Sequence, residues 1–208
     1  MNKQQVALRV EIASDVVCPW CYIGKRRFEK ALKLLEGQFD VNTRWLPFQL
    51  NPGMPKEGMP RAEYRKAKFG SLERSRELDA RVIAEGKSEG IDFAFDRIER
   101  TPNTSEAHKL IALAENQGPV VDALFRAYFE EAKDIGDPKV LAGIAAQCGV
   151  KGWPQEGERP ARDVAALEEE VRGMGISAVP TFIFERKSGV SGAYPAETLA
   201  QAMREAAG

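Results

Sequence analysis

Ser14-Asp15-Val16-Val17-Cys18-Pro19-Trp20-Cys21-Tyr22-Ile23-Gly24 is the stretch that decides how the chain is read. Upstream of it, Val6, Leu8, Val10 and Ile12 alternate with polar residues, the period of a strand. Downstream, Phe28, Ala31, Leu32 and Leu35 recur at helical spacing and Gly37 follows as a stop. The two cysteines therefore fall at the head of a helix, with both sulfurs in its first turn. Pro19 suits that turn, because its missing N–H has no intrahelical partner there. The unpaired N–H groups and positive dipole end of the helix favour a thiolate at Cys18. Thiolate is the attacking species in disulfide exchange, so Cys18 reads as the nucleophile and Cys21 as its resolving partner.

Two other uses of the pair compete with this one. A zinc site needs about four ligands, usually with a second close pair, and the chain offers only the distant Cys148 and His108. No metal is expected. A purely structural disulfide across two residues constrains the unfolded chain little and stabilises little. Redox chemistry is the favoured reading.

Composition sets the outer bounds. A chain of 208 residues supports one sizeable core, or one domain carrying a large insertion. Thirty basic and 31 acidic residues leave a net charge of −1, which gives no attraction for nucleic acid or an anionic membrane. Three cysteines in a chain this long do not make a disulfide-stapled secreted scaffold. The opening residues are interrupted by Arg9 and Glu11 and lack an apolar run of signal-peptide length. No stretch approaches the ~20 apolar residues of a membrane span. A soluble, cytoplasmic protein is the expectation.

Val41 to Leu46 is a second strand, so the chain opens strand-helix-strand, and a right-handed crossover makes the two strands parallel. Lys25, Arg26 and Arg27 are expected to form a solvated face of the intervening helix. Pro47, Pro52, Pro55 and Pro60, with Gly53 and Gly58 among them, mark a boundary. Residues 61 to about 88 are charged helix-formers. Asn103 and Glu106 have the spacing of an N-cap and its N3 partner, and the helix they open stops at Gly118-Pro119. The next helix turns Val121, Leu124, Phe125, Tyr128 and Phe129 inward. Asp137-Pro138 opens another, whose phase makes Cys148 a small buried hydrophobe. His108 reads as a surface or interface histidine. After a loop from Trp153 to Pro160, Val164, Leu167, Val171 and Met174 mark a helix. Val179 to Phe184 is β-rich, Lys187 to Gly189 turns it into a hairpin, and Pro195-Ala196 opens the last helix. The layout predicts an α/β fold with a mixed sheet and helices on both faces. Pro180 belongs at a strand start, since proline donates nothing to a ladder.

Cys18-Pro19-Trp20-Cys21 together with Val179-Pro180-Thr181 resembles the DsbA-like thioredoxin superfamily, and more closely its FrnE-type cytoplasmic branch. Pro47-Phe48-Gln49-Leu50-Asn51-Pro52, Pro102-Asn103-Thr104, Asp134-Ile135-Gly136-Asp137 and Gly192-Ala193-Tyr194-Pro195 extend the likeness over roughly residues 6 to 206. The resemblance implies a thioredoxin fold, residues 1–52 and 159–208, interrupted by a helical domain, residues 53–158. It also implies a cis peptide at Val179-Pro180 facing the cysteines, with Pro19, Trp20, Val179 and Pro180 contacting substrate.

The activity implied is thiol-disulfide exchange through Cys18 and Cys21 with protein thiols or disulfides, or with glutathione as co-substrate. No metal, nucleotide or flavin is called for, and monomer and homodimer stay open. Trp20 stands where the periplasmic members carry histidine, so no imidazole stabilises the thiolate. A potential between those of thioredoxin, about −270 mV, and DsbA, about −120 mV, is expected. The alternatives are a glutathione-dependent isomerase or transferase, like the kappa-class and 2-hydroxychromene-2-carboxylate isomerase relatives, and a non-enzymatic client-binding module. Those glutathione-dependent relatives typically replace the first cysteine with serine, whereas this chain keeps both.

Overall fold

The computed structural model describes residues 5–155 and 158–208. In chain order the elements are β1 (Val6–Ser14), α1 (Pro19–Leu34), β2 (Phe39–Pro47), β3 (Met59–Pro60), α2 (Arg61–Phe69) and α3 (Leu72–Ser88). They continue as β4 (Arg100–Thr101), α4 (Ser105–Leu113), α5 (Gln117–Phe129) and α6 (Pro138–Gln147). The chain closes with α7 (Glu158–Gly173), β5 (Thr181–Phe184), β6 (Ser188–Ser191) and α8 (Ala196–Ala207).

The main sheet has the order β2-β1-β5-β6. β1 runs parallel to β2 in a register from Val6–Phe39 to Ser14–Pro47, and antiparallel to β5. Strand alternation then assigns the faces. Leu8, Val10, Ile12, Phe182 and Phe184 turn to the side of α1 and α8, where they meet Phe28, Ala31, Leu199 and Met203. Ala13, Leu46 and Ile183 turn to the other side, against Val171 of α7. Glu11 on that second face is 2% exposed and is held by Arg186, which also pairs with Glu170 of α7. The sheet is thus mixed, with helices on both faces.

The apolar cluster on the α1 side continues past α1 into the helices between β2 and α7. Tyr22 stacks on Phe125 at 5.0 Å, and Phe93, Phe95 and Phe129 complete an aromatic group beside it. The side of α1 that carries the basic run is therefore covered, and this overturns the solvated-face expectation. Lys25 is 4% exposed and sits 3.0 Å from Asp122, Arg26 pairs with the same carboxylate, and Arg27 reaches Glu85 and Glu89. A basic run looks solvated along its own helix; α3 and α5 arriving with carboxylates bury it.

Three boundaries also differ. Gly118-Pro119 lies in the first turn of α5 rather than ending α4, as proline's missing N–H allows. Thr104 is the residue before α4, and Asn103 precedes it. The Asn103 side chain still braces the turn, its Oδ1 accepting from Ser105 N at 2.9 Å and its Nδ2 donating to Met54 O. In the hairpin the turn falls earlier, at Glu185 and Arg186, both left-handed with φ of 51° and 56°. The loop expected from Trp153 to Pro160 runs partly outside the described residues, and α7 already begins at Glu158.

Candidate active site

Cys18 is the residue capping α1, with extended backbone angles, and Pro19 is its first helical residue. The turn is held by Cys18 N donating to Asp15 O and Cys21 N donating to Cys18 O, each at 3.0 Å. The Cys18 side chain makes no cap to the helix; its Sγ lies 3.8 Å from the carbonyl oxygen of Val179. Both cysteines are free, Cys18 5% exposed and Cys21 1%. Burial pushes the Cys21 thiol well up, the neighbouring Cys18 sulfur adds to it, and Ser14 and the Asp15 backbone offset part.

The Val179–Pro180 bond is cis. Pro180 is buried against α1, at the one place where α1 carries no side chain. A Cβ on Gly24 would come within 2.9 Å of Pro180 Cγ and 3.4 Å of Phe182 Cζ. Gly24 is therefore the close-approach glycine that lets the Pro180 loop lie beside the cysteine turn. Gly192 N then donates to Pro180 O at 2.7 Å, securing the loop from β6. Trp20 projects outward, 38% exposed. On the far side of the cysteine turn, Val17 and Pro19 line a small cleft together with Arg61, Tyr64 and Arg65, and Asp79 holds both guanidiniums. The sequence-named residues Cys18, Cys21, Pro19, Trp20, Val179 and Pro180 thus gather at one end of the sheet.

The loop after β2 is tied beneath this turn. Leu50 N donates to Asp15 Oδ2 at 2.7 Å and Phe48 N to Ser14 O at 3.2 Å. Gln49 donates to both oxygens of Glu168 through its backbone N–H and its side chain. Burial opposes ionisation of Glu168, but Gln49 and Arg172 outweigh it and hold the carboxyl below its ordinary range.

His108 is where the structure most corrects the sequence. It is not a surface residue: it is 4% exposed, with Nε2 3.5 Å from Asp15 Oδ1 behind the cysteines. Ser14 Oγ, Asp15 Oδ1 and His108 Nε2 are all buried with no hydrogen-bond partner among the described residues. Such an atom costs about 1–3 kcal/mol. No sequence signal linked these positions, since His108 comes from a helix far along the chain. Cys148 is half-buried at the end of α6 rather than fully buried, and burial raises its thiol. Among the described residues no three His, Cys, Asp or Glu side chains gather as a metal site, and no helix is long and apolar enough to cross a membrane.

The model of the DSBA-like thioredoxin domain matches residues 9–204. An uncharacterized Bacillus subtilis protein, YwbO, is 30% identical over 186 residues, covering 86% of this chain and 87% of its own. The crystal structure of a probable DsbA oxidoreductase from Streptomyces coelicolor superposes with a TM-score of 0.84 at 34% identity, covering 96% of this chain and 89% of that one. The cytosolic disulfide reductase DsbM from Pseudomonas aeruginosa, solved with GSH, gives a TM-score of 0.65 at 18% identity over 94% of this chain and 99% of that one.

Proposed function

The chain belongs to the DSBA-like thioredoxin domain family, and on that premise we propose that it is a thiol-disulfide oxidoreductase working through Cys18 and Cys21. The observation that carries the reading is the placement of Cys18 at the start of α1, its sulfur 3.8 Å from the Val179 carbonyl, with Cys21 buried one turn deeper. Cys18 Sγ attacks one sulfur of a substrate disulfide, the other substrate sulfur leaves as thiolate, and a mixed disulfide forms. Cys21 then loses its proton and attacks Cys18 Sγ, releasing the second substrate sulfur and leaving a Cys18–Cys21 disulfide. Two electrons pass from the cysteine pair to the substrate; the reverse sequence oxidises it.

An extended substrate segment pairs its backbone with Val179 beside Pro180, while exposed Trp20 offers an apolar contact. Glutathione is the small thiol that returns the pair to its starting state, in keeping with the DsbM structure solved with GSH. Trp20 supplies no imidazole to stabilise a thiolate. The potential accordingly lies between about −270 and −120 mV, and against a cytosolic poise of roughly −220 to −320 mV most of that range leaves the pair reduced. Reduction or isomerisation of substrate disulfides is the working direction.

The test is disulfide exchange by Cys18→Ser and Cys21→Ala proteins. Cys18→Ser reduces activity to background, and Cys21→Ala accumulates substrate or glutathione disulfide-linked to Cys18. Full activity in Cys18→Ser overturns the assignment. Turnover surviving in Cys21→Ala with stoichiometric use of glutathione supports a glutathione-dependent isomerase or transferase instead.

A further inference from the structure

The exchange reading leaves one proton without a path. When Cys21 attacks, its sulfur is 1% exposed, and Cys18, already in the mixed disulfide, has no lone thiolate to receive the proton. The space behind the pair has what is missing. A cavity of about 270 Å³ is lined by Ser14, Arg44, Trp45, His108 and Gln117. Ser14 acts against burial at the Cys21 thiol, and its Oγ has no hydrogen-bond partner among the described residues. Across the cavity wall, the chain's only histidine faces Asp15, whose other oxygen is engaged by Leu50 N.

Three buried polar atoms with no partner among the described residues, at one edge of a cavity of mixed polar and apolar lining large enough for several waters, are the setting in which native proteins hold bound water. We propose that His108, reached from Cys21 through Ser14 and water in this cavity, accepts the proton that Cys21 loses when it resolves the mixed disulfide. This rests on the exchange reading and names the proton acceptor of that same site.

As Cys21 Sγ bonds to Cys18 Sγ and the substrate sulfur departs with the electron pair of the broken S–S bond, the Cys21 proton moves to Ser14 or its water. A proton passes on to His108 Nε2. Asp15 Oδ1, 3.5 Å away, bears the compensating negative charge, and the imidazolium returns its proton to solvent through the cavity mouth. In the reducing direction of the enzyme's own disulfide the same path runs backwards and delivers a proton to Cys21. Asp15, just after β1, faces His108 directly, and Ser14 of β1, Arg44 of β2, Gln117 and Val121 of α5 and Leu167 of α7 share the cavity lining with it. Arg44 is the one cation among them, and Asp15 the one anion.

Reaction with dithiobis(nitrobenzoate) of the reduced protein carrying Cys148→Ser, which removes the third free thiol and serves as the wild-type background here, separates the two steps, because Cys18 attack releases one nitrothiobenzoate and Cys21 closure releases a second. In the wild-type protein the second phase is expected to show a solvent deuterium isotope effect that the first lacks. His108→Gln and His108→Ala should slow the second phase on the order of 100-fold and leave the first unchanged. Free imidazole, small enough for the enlarged cavity, should restore the second phase in His108→Ala; a residue with only a packing role gains nothing from imidazole. A second phase unchanged in both variants, or no isotope effect in the wild-type protein, overturns the relay. Release of a single nitrothiobenzoate by the wild-type protein overturns the exchange reading itself.

Discussion

α1 has two buried long sides, and they are built from different materials. Toward the sheet and α8 it presents Phe28, Ala31, Leu35 and the bare backbone of Gly24, and the contacts are apolar. Toward α3 and α5 it presents Tyr22, Lys25, Arg26 and Arg27, and the contacts are a stacked ring, a hydrogen bond from Tyr22 to Glu130 and a mesh of ion pairs. The first side is bonded by area removed from water, which any apolar residue of the right size supplies. The second depends on each charge meeting its partner, because a charge left alone there stays desolvated. The Cys18–Cys21 turn sits where the two sides meet, so both bear on its position.

The largest effect expected across this comparison is from Phe125→Ala. The ring is fully buried and stacked on Tyr22, so its loss leaves a cavity and removes the stack, at about 3–5 kcal/mol. Chemical denaturation at neutral pH measures it, and a cost below about 1 kcal/mol would show that the ionic mesh alone holds α5 to α1.

Asp122→Ala comes next. Asp122 accepts from Lys25, Arg26 and Arg126, and its removal strands the buried ammonium of Lys25 with only Glu29 beside it. Breaking a buried pair costs about 3 kcal/mol or more, and the remaining Glu29 keeps this case near the lower end. The same group sets a pH dependence. Burial opposes its ionisation, but Lys25, Arg26 and Arg126 prevail and hold the carboxyl below its ordinary range; Glu89, between Lys30 and Arg27, behaves alike. The unfolded chain therefore takes up these protons at higher pH than the folded one. Their contribution is complete above the ordinary carboxylate range, near pH 4, and is lost as pH falls through the depressed folded values. Denaturation from pH 7 to pH 3 should show that decline, and Asp122→Asn should flatten it; a slope identical in the variant would break the assignment.

Gly24→Ala tests the apolar side and is the smallest in stability. The new methyl would lie 2.9 Å from Pro180 Cγ, so one of the two must shift, at about 1–3 kcal/mol. Its functional effect is disproportionate, because the shift moves the Val179 carbonyl away from Cys18. Exchange activity should drop while Lys25 and Asp122, on the other side, keep their contribution. Unaltered activity would mean that the Val179–Cys18 approach has slack.

What the sequence determined by itself was whatever one strand or one helical turn decides. The alternation from Val6 to Ile12, the helical phase from Phe28 to Leu35 and Pro19 at the first helical position are local, and they put Cys18 and Cys21 at a strand–helix junction. The same holds for Pro180 ahead of β5 and for Asp137-Pro138 opening α6. The parallel pairing of β1 with β2 and the mixed character of the sheet followed from the succession of elements, whereas the order β2-β1-β5-β6 was decided by the tertiary structure. Only the tertiary structure decided what each polar residue faces. Lys25 to Arg27 look solvated until α3 and α5 cover them, and Gly24 is an unremarked helical glycine until Pro180 lies against it. His108 reads as a surface or interface residue until α4 sets it, buried, 3.5 Å from Asp15. Secondary structure answers to neighbours a few residues away, whereas burial and charge pairing depend on surfaces that meet only once the chain has closed on itself.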